Sequence, residues 1–549
     1  MKFHSHSSEQ RSQIAQLLEE ALDELENVED QIEALTHRQR VLHETIASYR
    51  DTLSPIRRLS RDVLQEIFIH CLPADENASL NASKVPFLLG RVCSSWRTIS
   101  HSTPYLWTSL HITQSVDDPH DRLHYTRIRP VVENWLKRSG SSLPLSISMS
   151  KTAFSGLKSP LAEDRDAELD TVRLLLPFMH RCRRLSLDVS VRSIEPILEL
   201  SSGTIFETLE TLIIHRQSLK SAGRGGRMDF HPWSKILGSP RLRRIWIQAP
   251  YLSSKDLVLP LGQLTHLDIR VRLRRKDMNT MLLRLTDCEQ LVSCTLRVDR
   301  ESDHLEPLIS PVQLPNLEIL NVFSQSEQDL GPFFASLRLP RLRYLCCEDA
   351  QSHMLSRPLS ISFLTADLPC SSSSRSPADI PSSLEGLYLQ ITPHVQQNVL
   401  DYLHSCPPLK HLKLAGQSPK FRFATERGPR HPDNHCFIEQ LLRCLTLGEA
   451  GQINEDGQGL SLCPALETIH LEFPPVLQAR GLLTFLRSRT CSPNSTLKHA
   501  TFHLIGADDA LLDDLNDSIS EFTNCDISLS SPSTTVHDYR SGFDSQEWS

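Results

Sequence analysis

The sequence predicts a mixed α/β chain with a long N-terminal helix, a small all-α module and an array of short units around a parallel sheet. Three observations predict it: a heptad pattern of apolar residues, two amphipathic helical patterns, and an apolar spacing that recurs over the remainder. The predicted organisation is 1–11 disordered, 12–53 coiled-coil helix, 54–110 helical module, 111–180 linker or repeat-flanking region, 181–527 repeat array and 528–549 disordered tail.

The N-terminal helix carries an apolar seam of the coiled-coil type, in which eleven of twelve positions are apolar. The seam positions are Ile14, Leu18, Ala21, Leu25, Val28, Ile32, Leu35, Gln39, Leu42, Ile46, Tyr49 and Leu53. Pro55 ends the helix. Such a seam needs a partner. Two alternatives stay open: a second copy, which makes a homodimer, or the same chain folded back on the helix.

Two short amphipathic helices are predicted next. The first begins behind a Ser60 cap, and the second contains Trp96. Both are too short to bury enough apolar surface alone, so their apolar faces need a partner. The apolar residues of this stretch are, in order, Leu59, Val63, Leu64, Ile67, Phe68, Val92, Cys93, Trp96, Leu106 and Trp107.

This ordered set resembles the F-box, the adaptor-binding module of cullin–RING ubiquitin ligases. The resemblance implies contacts with the ligase adaptor, with some of the residues packing inside the module instead. The implied contact residues are Leu59, Val63, Leu64, Ile67, Val92, Cys93 and Trp96. Ser60 stands where most F-boxes have proline, and the polar segment 73–84 is longer than usual. The alternative is an ordinary helical hairpin in a larger core.

A repeated spacing follows: an apolar residue, two others, an apolar residue, one other, and an apolar residue. Its leading positions are Cys182, Leu209, Leu242, Leu264, Leu291, Leu317, Leu342, Leu384, Leu409, Leu466 and Leu497. Most intervals lie near the leucine-rich-repeat period. Each copy predicts a strand, and helical patterns at 278–285, 399–403 and 482–486 lie between strands. Strand and helix in alternation predict an irregular leucine-rich-repeat-like solenoid with a parallel sheet on its concave side.

Two insertions, 348–383 and 415–459, interrupt the period. Both are polar and rich in breakers, so they are predicted to be exposed loops. Between the apolar positions of the strands lie side chains that face away from the core. The large aromatic and cationic ones suit a protein interface. The predicted target-binding residues are Arg244, Trp246, His266, Asp268 and Arg343.

A cluster of arginines runs through two neighbouring repeats, at Arg241, Arg243, Arg244, Arg270, Arg272, Arg274 and Arg275. It is either a solvated face or a dock for an acidic or phosphorylated segment. The net charge of −8 argues against a broad nucleic-acid surface. The polar N-terminus does not fit a signal peptide, and no apolar run is long enough for a membrane span.

Motifs for a hydrolase nucleophile, a phosphate loop, a dinucleotide or a zinc protease are missing from the sequence. No catalytic residue, metal site or cofactor is therefore predicted. The expected function is that of a substrate receptor in a cytoplasmic or nuclear ubiquitin ligase, with the adaptor and a protein target as partners. The alternative is a non-catalytic scaffold of coiled coil and repeats without a role in degradation.

Overall fold

A computed structural model gives the structure of the chain. It describes residues 8–74, 76–115, 121–152, 173–188, 206–215, 234–251, 259–272, 275–298, 311–324, 333–334, 336–349, 384–391, 399–400, 403, 409–416, 433–447, 462–473, 479–491, 496–504, 509–520 and 522–530. The chain divides into two compact units. The helical unit comprises Met1–Ala74 and Val85–Leu106, and the sheet unit comprises Asp75–Lys84 and Trp107–Ser549.

The helical unit begins with the long helix α1, Ser8–Leu53, which has 46 residues and a length of about 69 Å. A 3₁₀ helix, Pro55–Arg58, follows it. The short helices are α2 (Arg61–His70), α3 (Leu89–Val92) and α4 (Ser94–His101). The Ser60 hydroxyl accepts a hydrogen bond from the Val63 amide, so the predicted N-terminal cap of α2 is confirmed.

The sheet unit is built on one fourteen-stranded parallel sheet, in the order β1-β2-β3-β4-β5-β6-β7-β9-β11-β12-β13-β14-β15-β16. Its strands are β1 (Ser109–Ser115), β2 (Leu145–Thr152), β3 (Cys182–Asp188), β4 (Thr211–His215), β5 (Arg244–Tyr251), β6 (His266–Arg272), β7 (Ser293–Val298), β9 (Ile319–Ser324), β11 (Tyr344–Asp349), β12 (Gly386–Ile391), β13 (His411–Gly416), β14 (Thr468–Phe473), β15 (His499–Leu504) and β16 (Asp526–Ser530). Two further strands, β8 (Val312–Gln313) and β10 (Leu337–Arg338), pair with each other.

Helices lie between several of these strands. They are α5 (Asp121–Arg138), α6 (Ser234–Leu237), α7 (Arg275–Leu285), α8 (Asp433–Leu445), α9 (Ala479–Thr490) and α10 (Asp509–Ile519). The helical patterns predicted at 278–285 and 482–486 fall inside α7 and α9, which confirms both. The third pattern, 399–403, is only partly within the described residues.

The recurring apolar spacing aligns from strand to strand. The middle apolar residue of each repeat pairs with the middle apolar residue of the next, and all of them are buried. These residues are Leu185, Leu212, Ile245, Leu267, Cys294, Leu320, Leu345, Leu387, Leu412, Ile469 and Ala500. A slip of one residue would turn the whole set to the opposite face of the sheet. The fold class is confirmed as mixed α/β with a long N-terminal helix and a large parallel sheet.

The sheet also extends past both ends of the predicted repeat array. Strands β1 and β2 lie in or next to the range predicted as a linker, and β16 reaches into the range predicted as a disordered tail. Similarly, α1 begins at Ser8, inside the range predicted as disordered. Ahead of β1 and β2, Trp107 and Pro144 occupy the position at which other repeats have a leading leucine. The repeated spacing is therefore not recognisable there from the sequence.

The prediction that the whole second insertion is an exposed loop is wrong. Helix α8 lies inside it and buries Leu441, Leu442 and Leu445, which share one helical face. The polar breakers on either side of the helix mask this short apolar period. In the first insertion, Glu348 and Asp349 complete β11, and residues 350–383 lie outside the described residues.

A buried arginine braces this part of the sheet unit. Arg489 of α9 is fully buried, and burial lowers its pKa to about 10. Its guanidinium donates hydrogen bonds to the carbonyl oxygens of Leu445 at 2.8 Å, Cys463 at 3.0 Å and Leu462 at 2.7 Å. Cys463 has a φ of 47°, in the left-handed region that residues other than glycine rarely adopt. The arginine therefore joins the end of α8 to a strained turn ahead of β14.

Replacing Arg489 with methionine should lower the free energy of unfolding of this region by about 3 kcal/mol or more. The apolar side chain leaves several buried carbonyl oxygens without donors, each at a cost of about 1–3 kcal/mol. Urea unfolding followed by circular dichroism measures the change. Arg487→Met on the exposed side of the same helix is the matched control, and an equal effect of both variants would contradict the prediction.

Candidate functional site

The helical unit exposes apolar side chains that a folded module normally buries. Val63 and Ile67 of α2 are 46% and 38% exposed, and Val92 at the end of α3 is 58% exposed. Leu59, ahead of α2, is exposed as well. These four residues belong to the set predicted to contact an adaptor. Exposed apolar groups at this density on one small module indicate an interaction surface.

The other three predicted contact residues have packing roles in the described structure. Leu64 is only 6% exposed and lies on the buried face of α2 with Phe68. The Trp96 ring is half-buried and lies 4.8 Å from the Phe68 ring. The Cys93 sulfur accepts a hydrogen bond from the Trp96 amide at 3.4 Å and caps α4, although Cys93 itself is exposed. Helix α2 therefore has an inner stripe at 64 and 68 and an outer stripe at 63 and 67.

Side-chain hydrogen bonds hold α2 against the end of α4. The Arg61 guanidinium donates to the Ser102 hydroxyl at 2.7 Å, and the Gln65 amide donates to the Thr103 hydroxyl at 3.0 Å. These bonds and the Phe68–Trp96 contact fix the rotation of α2 about its axis. The outer stripe is thereby kept exposed on an ordered helix.

Outside α1, the sequence prediction missed three further exposed large apolar side chains of the helical unit. They are Ile56, Leu88 and Tyr105. Each lies just outside a helix or in a single-turn element, where helical periodicity does not predict which side chains are buried. Whether such a residue is exposed depends on tertiary packing.

The seam of α1 is the second exposed apolar surface. Its ten large apolar residues are each between 45% and 66% exposed, so no described part of the chain covers them. A seam of this length left in water indicates that the helix has a partner.

In the sheet unit, the side chains that alternate with the buried apolar residues form a polar face. The register places Arg244 of β5 beside His266 of β6, and Trp246 beside Asp268. Four of the five predicted target-binding residues are thus brought together on two adjacent strands. Burial lowers the pKa of His266, and the positive charge of Arg244 lowers that pKa further.

Trp246 is half-buried among polar neighbours on this face. The His215 ring meets it edge-on with centroids 3.9 Å apart, and the Arg270 guanidinium lies 5.7 Å from its ring. Arg270 also forms an ion pair with Asp268 at 3.0 Å and lies 4.8 Å above the Phe323 ring. The tryptophan is therefore part of an ordered patch of aromatic and charged groups that extends over several strands.

Arg343, the fifth predicted residue, lies elsewhere, just ahead of β11 at the edge of the sheet where the strands begin. Its guanidinium pairs with the Glu385 carboxylate at 3.0 Å and the Glu318 carboxylate at 3.4 Å. The Glu385 hydrogen bond raises the pKa of Arg343, and the same bond lowers the pKa of Glu385. Arg343 thus forms ion pairs within the sheet unit at this edge.

This edge carries charges of alternating sign. The residue directly after the leading leucine changes sign from each repeat to the next, in the order Glu318, Arg343, Glu385, Lys410, Glu467 and Lys498. Lys410 pairs with Glu385 at 3.4 Å, and Lys498 pairs with Glu467. We call this row the charge ladder. Each of these ion pairs joins two neighbouring repeats in register.

Within the described residues, no three histidine, cysteine, aspartate or glutamate side chains are grouped as a metal site would require. Likewise, no helix in the described ranges combines the length and apolar character needed to cross a membrane.

No protein-family model matches the chain, and no curated protein matches it at a significant level.

Proposed function

We propose that the chain is the substrate-receptor subunit of an F-box-type cullin–RING ubiquitin ligase. The helical unit contains the F-box, which docks on the ligase adaptor through Leu59, Val63, Ile67 and Val92. The supporting observation is that these four apolar residues are exposed on an ordered helical module while Leu64 and Phe68 fill its interior. Complete burial of a fully exposed aliphatic side chain contributes about 1.5–3 kcal/mol, and these partly exposed side chains contribute a fraction of that each.

The sheet unit is a leucine-rich-repeat-like solenoid in this proposal. The strands follow one another in sequence order, and their apolar positions stay in register throughout. Each repeat then buries its apolar residues only against its neighbours, as in other solenoids. The polar face around Trp246 binds the protein target.

The chain performs no chemistry itself. It holds a target next to the ubiquitin-carrying enzyme of the ligase, so that a bimolecular encounter becomes an effectively intramolecular one. Such a receptor acts in the cytoplasm or the nucleus. It requires an adaptor and a protein target, and it uses no nucleic acid, membrane or cofactor.

A scaffold of coiled coil and repeats is the second candidate, and the exposed seam of α1 favours it. A scaffold would hold its partners without the adaptor and would not change their lifetime. Adaptor binding separates the two functions.

Changing Val63 and Ile67 together to alanine should weaken adaptor binding at least thirtyfold, about 2 kcal/mol. Both side chains are exposed, so their truncation leaves the core of the helical unit intact. Titration calorimetry with purified adaptor measures the affinity. Val131→Ala with Leu283→Ala, two exposed apolar residues of the sheet unit, is the matched control. Unchanged affinity in the Val63/Ile67 variant would rule out the receptor proposal.

We propose further that α1 pairs with α1 of a second copy, because its seam is exposed along its whole length. A dimer presents two target sites, and such avidity raises apparent affinity by about a hundredfold or more where the geometry fits. The fold-back alternative requires the chain itself to cover the seam.

Multi-angle light scattering of the full chain should give twice the monomer mass of 62.2 kDa. Leu25→Asp with Ile32→Asp should reduce the mass to that of a monomer, because charges inside the seam repel and lose their hydration. Asn27→Asp with Ala34→Asp adds the same charge outside the seam and should keep the dimer. A monomeric wild-type chain would leave the fold-back alternative.

Trp246→Ala should abolish target degradation and leave adaptor binding unchanged, since large aromatic side chains anchor interfaces with about 2 kcal/mol or more. Quantitative proteomics compares cells lacking the protein after they receive wild-type or variant chain. Trp246→Phe keeps an aromatic ring between His215 and Arg270 and should restore degradation in part. Full activity of the alanine variant would place the target site elsewhere.

A further inference from the structure

A cleft lies at the edge of the sheet where β1 to β6 begin. Its volume is about 520 Å³. It is lined by Thr108, Pro144, Leu145, Ser146, Arg183, Arg184, Glu210, Thr211, Arg243, Arg244 and Thr265. The lining thus contains four arginines and one acidic residue.

The charge balance of the cleft differs from that of the same edge further along the sheet. From Glu318 to Lys498 the charge ladder alternates and neutralises itself through ion pairs. In the cleft, Arg183 pairs with Glu210 at 2.7 Å. Arg243 donates to the Gln263 carbonyl and the Gln290 side chain, both uncharged. The corresponding positions in the cleft, Arg183, Glu210 and Arg243, therefore carry excess positive charge, whereas the charges of the charge ladder balance.

Arg184 and Arg244 add two more positive charges one residue further along their strands. Both are exposed, and in the described part of the chain neither forms an ion pair. Thr211 of β4 pairs with Arg184 on one side and with Arg244 on the other. The backbones of the two arginines are therefore about 10 Å apart, two strand spacings. A carboxylate above Thr211 would have a guanidinium on each side.

The lining favours a peptide over a nucleic acid. Sites for single-stranded nucleic acids combine basic residues with aromatic rings on which bases stack. Among the described residues that line this cleft, none is aromatic. Guanidinium groups bind carboxylates through paired hydrogen bonds, and the small hydroxyl-bearing side chains leave room for a peptide backbone.

We propose that this cleft binds an Asp/Glu-rich peptide segment of a protein partner, with Arg184 and Arg244 as the anchors. The assignment rests on the proposed receptor function only in making that partner a degradation target. The site adjoins the Trp246 patch, because Arg244 lies two residues before Trp246 on the same face of β5. A target that used both would contact the polar face and the edge together.

Fluorescence anisotropy with the full-length protein and a labelled peptide of alternating Glu and Gly tests the proposal. The peptide should bind, and the same peptide with Gln for Glu should bind at least tenfold more weakly. Raising the salt concentration should weaken binding further, because exposed ion pairs are screened. Equal binding of both peptides would overturn the proposal.

Variants locate the site. Arg184→Ala with Arg244→Ala should reduce peptide affinity at least tenfold, whereas Arg184→Lys with Arg244→Lys, which keeps the charge but loses the paired hydrogen bonds, should reduce it less. Arg129→Ala with Lys137→Ala removes the same charge from α5 and should change affinity less than threefold. No loss in the Arg184/Arg244 alanine variant, or tighter binding of a single-stranded RNA than of the peptide, would overturn the proposal.

Adaptor affinity measured on the same variants separates this inference from the receptor function. If adaptor binding is intact and the peptide fails to bind, the acidic-segment site is wrong and the receptor function stands. If the peptide binds and the adaptor does not, the cleft belongs to a scaffold.

Discussion

The in-register stacking of one apolar spacing is the constraint on which the sheet unit depends. Leu212, Ile245 and Leu267 are buried because each contacts its counterpart on the neighbouring strand. No single repeat has enough apolar surface to fold alone. The polar face, the start edge and the cleft owe their geometry to this register, since a slip of one residue would exchange the two faces of the sheet.

Much of this architecture could be predicted from the sequence, because the same apolar spacing predicts each strand and its pairing with the strand of the next repeat. Strands β1 and β2 were not predicted, because Trp107 and Pro144 replace the leading leucine. Helix α8 was not predicted, because helix-breaking residues on either side of its leucines are typical of a loop. In both cases the apolar pattern was too short to outweigh the surrounding sequence as a predictor. Tertiary packing determined that these segments form a strand or a helix.

The candidate sites show a different limit of the sequence. Val63 and Leu64 are adjacent and similar in chemistry, yet one is exposed and the other buried. Periodicity places both on the apolar side of α2. The Phe68–Trp96 contact and the Arg61 and Gln65 hydrogen bonds set the rotation of the helix. The alternating signs of the charge ladder, in contrast, can be read in the sequence directly after each leading leucine.

The charge ladder also bears on how such an array can change its length. From Glu318 to Lys498, the charge that follows the leading leucine has the opposite sign in each neighbouring repeat. Losing one repeat would bring two like charges together, whereas losing two would restore the alternation. The same holds for duplication. This stretch of the array is therefore expected to grow and shrink in pairs of repeats, so that electrostatics sets the step size of its evolution.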